Sequence, residues 1–334
     1  MAAPRRRPRE PVEEQAPAPP AASAHSHDAD LAELLAGLRA RPKHVPSRFL
    51  YDAAGSVLFD RICELPEYYP TRTETAILRE NLGAIVASIG ERALLVEPGS
   101  GSSTKTRLLL EALPAPAAYV PVDISREHLS CAAAQLAVEH PGLEILPVYA
   151  DFTRTFPLPL PRRRAPARIV FFFPGSTIGN FERDAAVRLL GQLREAAGRR
   201  GGLLVGVDLV KAPEVIERAY DDAAGVTAAF NLNLLAHLNR RFGADFDLAA
   251  FRHRAAWDPR HERIEMQLVS VRAQAVRFAG TTLRFEAGEP LRTEYCHKYR
   301  IADFGVLARS AGWSSVDVWT DAARLFSVHY LVGD

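Results

Sequence analysis

Ala93-Leu94-Leu95-Val96-Glu97-Pro98-Gly99-Ser100-Gly101-Ser102-Ser103-Thr104-Lys105-Thr106 is the stretch whose reading decides the fold. An apolar run, two closely spaced glycines and the start of a helical pattern follow one another without a gap. A run that is apolar at every position fits a strand buried on both faces, as in a parallel sheet clothed in helices. The glycines let the backbone come close to a ligand, and the unpaired N–H groups of the following helix favour a negative group. Similar apolar runs recur at residues 119–122, 145–148, 169–173 and 203–207, and helical spacing occupies 104–113, 127–139, 183–197 and 213–224. This alternation predicts a doubly wound α/β sheet.

Upstream, helices are expected near residues 31–38, capped by Asp28 or Asp30, then at 57–65, ending at Pro66, and at about 73–89. Downstream of Gly225 the alternation breaks. A helix to about Arg241 precedes strands near 264–271, 275–278 and 282–285, which read as an insertion with its own small sheet. A helix at 301–312 and a strand pair at 316–319 and 326–331 close the chain. Residues 1–27, rich in Ala, Pro and Arg, have too little apolar surface to offset their ordering entropy and read as a disordered tail.

The chain has 334 residues and is 48% apolar, enough for a sizeable core. Lys plus Arg total 41 against 40 for Asp plus Glu, so no broad basic field exists to hold nucleic acid or an anionic membrane. The solvated tail absorbs Arg5-Arg6-Arg7, and no nucleic-acid partner is expected. Cys63, Cys131 and Cys296 are odd in number and lack a Cys-x-x-Cys pair, which fits a reducing cytoplasm and no metal. No apolar run approaches the roughly 18–20 residues of a spanning helix, so no membrane partner is expected.

The glycine loop departs from the dinucleotide fingerprint, because Thr104 stands where the third glycine would fall and acidic Glu97 precedes the loop. About twenty residues on, the second apolar run ends in Asp123, a carboxylate suited to accept from ribose hydroxyls. The third ends at Asp151-Phe152, an acceptor beside an aromatic face suited to adenine. Taken singly, each acid fits an ordinary strand-end residue. Together, Glu97, Gly99, Gly101, Asp123 and Asp151 resemble the class I S-adenosylmethionine-dependent methyltransferases. Lys105 fits either a partner of the methionine carboxylate or a solvated lysine of the first helical turn.

Four further stretches are too particular to be core: Tyr51–Asp60, Leu65-Pro66-Glu67-Tyr68-Tyr69-Pro70-Thr71-Arg72-Thr73-Glu74, Pro174-Gly175-Ser176-Thr177-Ile178-Gly179-Asn180-Phe181, and Ala219-Tyr220-Asp221-Asp222 running on to Asn231. With Glu265-Met266 and Thr293-Glu294-Tyr295-Cys296-His297-Lys298, they resemble the histidine-specific methyltransferases of ergothioneine biosynthesis, from about Leu31 to the C-terminus. The resemblance implies that S-adenosylmethionine binds at Gly99, Gly101, Lys105, Asp123, Asp151 and Phe152. It also implies that Tyr68, Asn180 and Tyr220 grip the substrate's amine and carboxylate, while Glu294 and Cys296 read the imidazole. Tyr51, Phe59, Gly175 and Met266 would line the reaction centre, with Tyr51, Tyr68 and Asn180 as the catalytic set. The reaction implied is trimethylation of the α-amino group of free histidine, giving hercynine.

Cys296 departs from the serine more usual in that family, and a thiol is the weaker hydrogen-bonding group. His297 would project to the opposite face of a strand and is expected to be structural. The implied organisation is a tail at 1–27, helices at 28–72 joining the substrate side, and a cofactor-binding core at 73–210 and 300–334. A smaller inserted α+β substrate-binding domain spans 211–299. A monomer is expected. The competing readings are the same chemistry on another amino acid, such as tryptophan, and a non-catalytic ligand-binding protein.

Overall fold

A computed structural model describes residues 27–101 and 104–334. The expected tail therefore lies outside the described residues, except that His27 opens the first helix and stacks on Phe242 at 5.0 Å. Ser102 and Ser103 of the glycine loop also lie outside them.

The chain enters through α1 (His27–Arg39), a two-residue strand β1 (Lys43–His44), α2 (Ala53–Glu64), α3 (Tyr69–Glu80) and α4 (Leu82–Ile89). Asp28 and Asp30 sit inside the first turn of α1 rather than at its cap, and buried Asp30 instead accepts from Arg48 and Arg241. The single helix expected over 73–89 is two, because Asn81 leaves helical geometry and donates its Nδ2 to Ile77 O, a side-chain competitor for the helical ladder. Asp52 caps α2 by accepting from Gly55 N at 2.8 Å, so that helix starts earlier than its apolar spacing suggests.

Then come β2 (Ala93–Pro98), α5 (Thr104–Ala112), β3 (Ala118–Asp123), α6 (Arg126–Glu139), β4 (Val148–Tyr149), β5 (Arg168–Phe173), α7 (Arg183–Ala197) and β6 (Gly202–Asp208). β4 is shorter than expected: Pro147 has no N–H to offer, and Ile145 is reduced to an isolated bridge to Tyr119. The chain continues through α8 (Pro213–Tyr220), α9 (Val226–Phe242), β7 (Phe251–Asp258), β8 (Arg263–Ser270), β9 (Gln274–Phe278), β10 (Thr281–Phe285) and β11 (Pro290–His297), and ends with α10 (Ile301–Ser310), β12 (Trp313–Thr320) and β13 (Phe326–Gly333).

Among the described residues the large sheet has seven strands in the order β12-β13-β6-β5-β2-β3-β4, all parallel except β13. The chain winds from β2 outward through β3 to β4, then returns to β5 on the other side of β2. That reversal opens a crevice at the carboxyl ends of β2 and β5, where such sheets bind ligands. Every residue of β2 and β6 is buried, and separate apolar cores cover the two faces, one around Val96, Phe171 and Trp313 and the other around Leu95, Phe172 and Tyr330.

A second sheet of order β1-β11-β8-β7 stands apart, accompanied by the hairpin β9–β10. Its first strand comes from the N-terminal segment, with Lys43 opposite Leu291. A third core, including Leu34, Phe49, Phe230, Leu268 and Phe278, joins α1, α2 and α9 to this sheet. β7 and β11 do not read as strands in the sequence because their inward positions are partly polar. His253 of β7 is buried between Asn231 and Tyr220 O, and β11 buries Thr293, Glu294, Cys296 and His297. Among the described residues, no helix is long and apolar enough to cross a membrane.

Candidate active site

The crevice at the sheet's carboxyl ends continues into a cavity of about 680 Å³, within the range of roughly 300–1,000 Å³ typical of small-molecule sites. Of the expected site residues, Tyr51, Phe59, Tyr68, Gly99, Gly101, Asp123, Asp151, Phe152, Gly175, Asn180, Tyr220, Met266, Glu294 and Cys296 all line it. Lys105 does not. Its ammonium is taken by Glu74, a fully buried carboxylate of α3, at 2.7 Å, and the same Glu74 oxygen accepts from Gly175 N at 2.8 Å. In the structure Lys105 is thus steadied by a buried acid beside Gly175, a residue of the cavity wall.

At one end of the cavity the glycine loop follows β2. Gly99 has a φ of +69°, open to glycine and costly for other residues, and a Cβ there would press on the Phe152 ring at 3.3 Å. The bare backbone lets Phe152 lie against the loop, where its ring also meets Phe173 and Phe181 edge-on. Asp123 ends β3, and its Oδ1 accepts from Ser125 N at 2.8 Å. Burial lifts its carboxyl above the ordinary value, against the pull of that bond. Asp151 is steadied by Thr153, whose N–H and hydroxyl both donate to Oδ1. Glu97 lies beneath the loop rather than in the cavity. It accepts from Thr106 Oγ1 and Tyr119 OH, and burial pushes it up to about 7, so it braces β2 against β3 and α5.

The other end is assembled from distant segments. Edge-on aromatic contacts link Phe230 to Tyr51, Tyr51 to Phe59, Phe59 to Tyr68 and Tyr68 to Tyr220. Burial holds the phenols of Tyr51, Tyr68 and Tyr220 well above their ordinary range, so each stays a neutral hydroxyl. Glu294 Oε1 accepts from Asn180 Nδ2 at 3.1 Å and faces Tyr51 OH at 3.5 Å. A register shift between Arg292 and Glu294 marks a bulge in β11, and such bulges re-aim side chains. Burial pushes Glu294 up to about 7, opposed by the charge of Lys298 and the bond from Tyr51.

The turn after β5 completes this end. Ser176 takes a left-handed φ of +56°, and its Oγ accepts from Asp208 N at 3.0 Å. A Cβ on Gly179 would lie 2.6 Å from His297 O and 2.7 Å from Cys296 Sγ, so only glycine lets this turn close on β11. Cys296 is buried, and its thiol faces Ser176 O at 3.8 Å. His297 points elsewhere, its Nδ1 meeting His261 O at 3.0 Å, which fits a structural part. Among the described residues, no cluster of three or more His, Cys, Asp and Glu side chains is arranged to hold a metal.

Two groups escaped the sequence reading. Phe230, inside a quoted motif, forms part of the aromatic wall. Lys298 is fully buried against Asp208, Tyr220 and Cys296. The period of two that places Glu294 and Cys296 together would have found it.

A reversing parallel sheet with one antiparallel strand, a glycine loop after its first strand and acids at the next two strand ends together define a class I S-adenosylmethionine-dependent methyltransferase. The chain belongs to the S-adenosylmethionine-dependent, histidine-specific methyltransferase family, whose model matches residues 30–332. It is 44% identical over 306 residues to the histidine N-alpha-methyltransferase of Mycolicibacterium smegmatis, covering 90% of this chain and 94% of that one. It is 42% identical over 301 residues to the enzyme of the same name from Mycobacterium tuberculosis, covering 89% and 92%. With ergothioneine biosynthesis protein 1 of Neurospora crassa it shares 29% identity over 297 residues, 84% of this chain and 32% of that longer protein.

Proposed function

We propose that this chain trimethylates the α-amino nitrogen of free histidine with S-adenosylmethionine, giving hercynine, the first step of ergothioneine biosynthesis. The observation that carries the reading is the single cavity in which strand-end acids face one end and a buried, hydrogen-bonded Glu294 faces the other. When bound, S-adenosylmethionine supplies an electrophilic methyl group. Gly99, Gly101, Asp123, Asp151 and Phe152 would hold it, and they fit: Gly99 leaves the backbone bare beside an aromatic ring, with two carboxylates facing the same space.

The remaining work is alignment and exclusion of water. Tyr68, Asn180 and Tyr220 orient the amine and carboxylate. Their phenols and carboxamide are neutral, so they add no competing nucleophile. Glu294 accepts from an imidazole N–H, Met266 forms an apolar wall, and Tyr51, Phe59 and Gly175 line the reaction centre. Cys296 contributes packing more than recognition, because its sulfur is already engaged by Lys298. In this proposal residues 73–210 and 300–334 form the cofactor-binding core. Residues 28–72 and the insertion 211–299 form the substrate side, a division supported by the pairing of β1 with β11. The chain acts as a cytoplasmic monomer.

The test is incubation of the purified chain with labelled S-adenosylmethionine and a panel of free amino acids including tryptophan, read by mass spectrometry. Three methyl groups on histidine and none on the others is the expected result. Labelling of another amino acid in preference to histidine sinks the substrate assignment.

A further inference from the structure

We infer that Lys298 is a positioning residue that turns the Tyr220 hydroxyl into a directed donor for the substrate carboxylate. The inference rests on the proposed function above. An ammonium has three hydrogens to give and no lone pair with which to accept. The three polar groups nearest Lys298 Nζ are Asp208 Oδ2 at 2.7 Å, Tyr220 OH at 3.0 Å and Cys296 Sγ at 3.3 Å. Lys298 is fully buried, so water takes none of its hydrogens.

The consequence falls on Tyr220. Its oxygen must accept from Lys298, so its own hydrogen is directed away from the ammonium. The ring lines the cavity beside Tyr68, and there that hydrogen can go either to Cys296 Sγ, a weak acceptor, or to a stronger acceptor in the cavity. A hydroxyl polarised by an ammonium in a low-dielectric interior is a stronger donor than a solvated phenol, and an anionic acceptor gains most from it. The α-carboxylate is the anionic group that every free amino acid carries.

Charge balance strengthens the argument. Asp208 is also paired with Lys211, and Tyr69 OH donates to both its oxygens, at 3.0 and 2.8 Å. Two ammonium groups thus share Asp208, and the charge of Lys298 is also felt by Glu294 on the cavity wall. A structural ion pair would need only one of the two lysines. The second, Lys298, is the one that reaches the cavity wall. Because Lys211 remains on Asp208, removing Lys298 does not strand that carboxylate.

A double-mutant cycle on the full chain tests this, with KM and kcat for histidine measured in wild type, Tyr220→Phe, Lys298→Met and the double variant. Lys298→Met should raise KM roughly ten- to hundredfold, the range for a lost charge-assisted hydrogen bond, while kcat moves less than about threefold. In the Tyr220→Phe background the same change should cost less than about threefold, because its route to the substrate is gone. An unchanged KM, or an equal penalty with and without the Tyr220 hydroxyl, overturns the inference. Lys298→Gln, judged by the same criteria, replaces the Met variant where that one does not melt cooperatively. If neither folds, Lys298 is a structural residue and the inference falls. If wild type prefers another amino acid, the proposed function fails on its own, and the cycle is run with that amino acid, which carries the same carboxylate.

Discussion

The two ends of the cavity are built by opposite strategies. The cofactor end is made of short-range features: a glycine loop directly after β2, Asp123 at the end of β3, and Asp151 just past β4, each steadied by a residue two positions on. The substrate end brings together α2, the start of α3, the turn after β5, α8 and two strands of the second sheet. Its polar groups are held by partners remote in sequence, Asn180 on Glu294 and Lys298 on Tyr220. The difference is one of dependence, since Asp151 and Glu294 are equally buried. The strand-end acids lean on near neighbours and can be changed singly, whereas the groups beyond them stand or fall with remote partners.

The largest expected effect tests where the boundary between the two ends runs. Lys105→Met strips Glu74 of its cation in the interior and should destabilise the fold by about 3–5 kcal/mol, read by denaturant unfolding. If stability holds and only S-adenosylmethionine affinity drops, Lys105 belongs to the cofactor end after all. Next, Glu294→Ala should cost roughly 2–4 kcal/mol of selectivity for histidine, and adding Met266→Val should make room for an indole. Specificity constants for histidine and tryptophan in wild type and double variant decide it. An unchanged ratio means Glu294 does not read the imidazole.

A third experiment separates the two buried carboxylates. Glu294 in the cavity and Glu97 under the loop are both lifted from 4.5 to about 7, by burial first of all. A raised carboxyl contributes its full share of stability below about pH 4.5 and loses it as pH rises through about 7. Glu294→Gln escapes that loss, so its stability relative to wild type should improve between pH 5 and pH 8 by up to about 3 kcal/mol. Glu97 is present in both proteins and cancels. A difference that does not change with pH would show that Glu294 is not held protonated by burial. The smallest effect belongs to the cofactor end: Asp123→Ala should weaken S-adenosylmethionine binding by about 1–3 kcal/mol by calorimetry, with histidine affinity unmoved.

The sheet was readable because β2, β3, β5 and β6 are apolar at nearly every position and alternate with helices. β7 and β11 were not readable, because their inward residues include His253, Thr293 and Glu294, polar groups that look like surface until their partners are known. The substrate residues entered through a family resemblance. No rule of spacing would have joined Tyr51 to Glu294.

By itself the sequence determined the doubly wound sheet, the glycine loop and the acids at its strand ends, since a strand's end and the residue beyond it are neighbours along the chain. Tertiary structure alone decided that Lys105 belongs to Glu74, that a bulge carries Glu294 to Asn180 and Tyr51, and that Lys298 stands behind Tyr220. The physical reason is that a buried charge must find its counter-charge and donors within a few ångströms. Those partners are chosen by how sheets and helices close on one another, which no local pattern records.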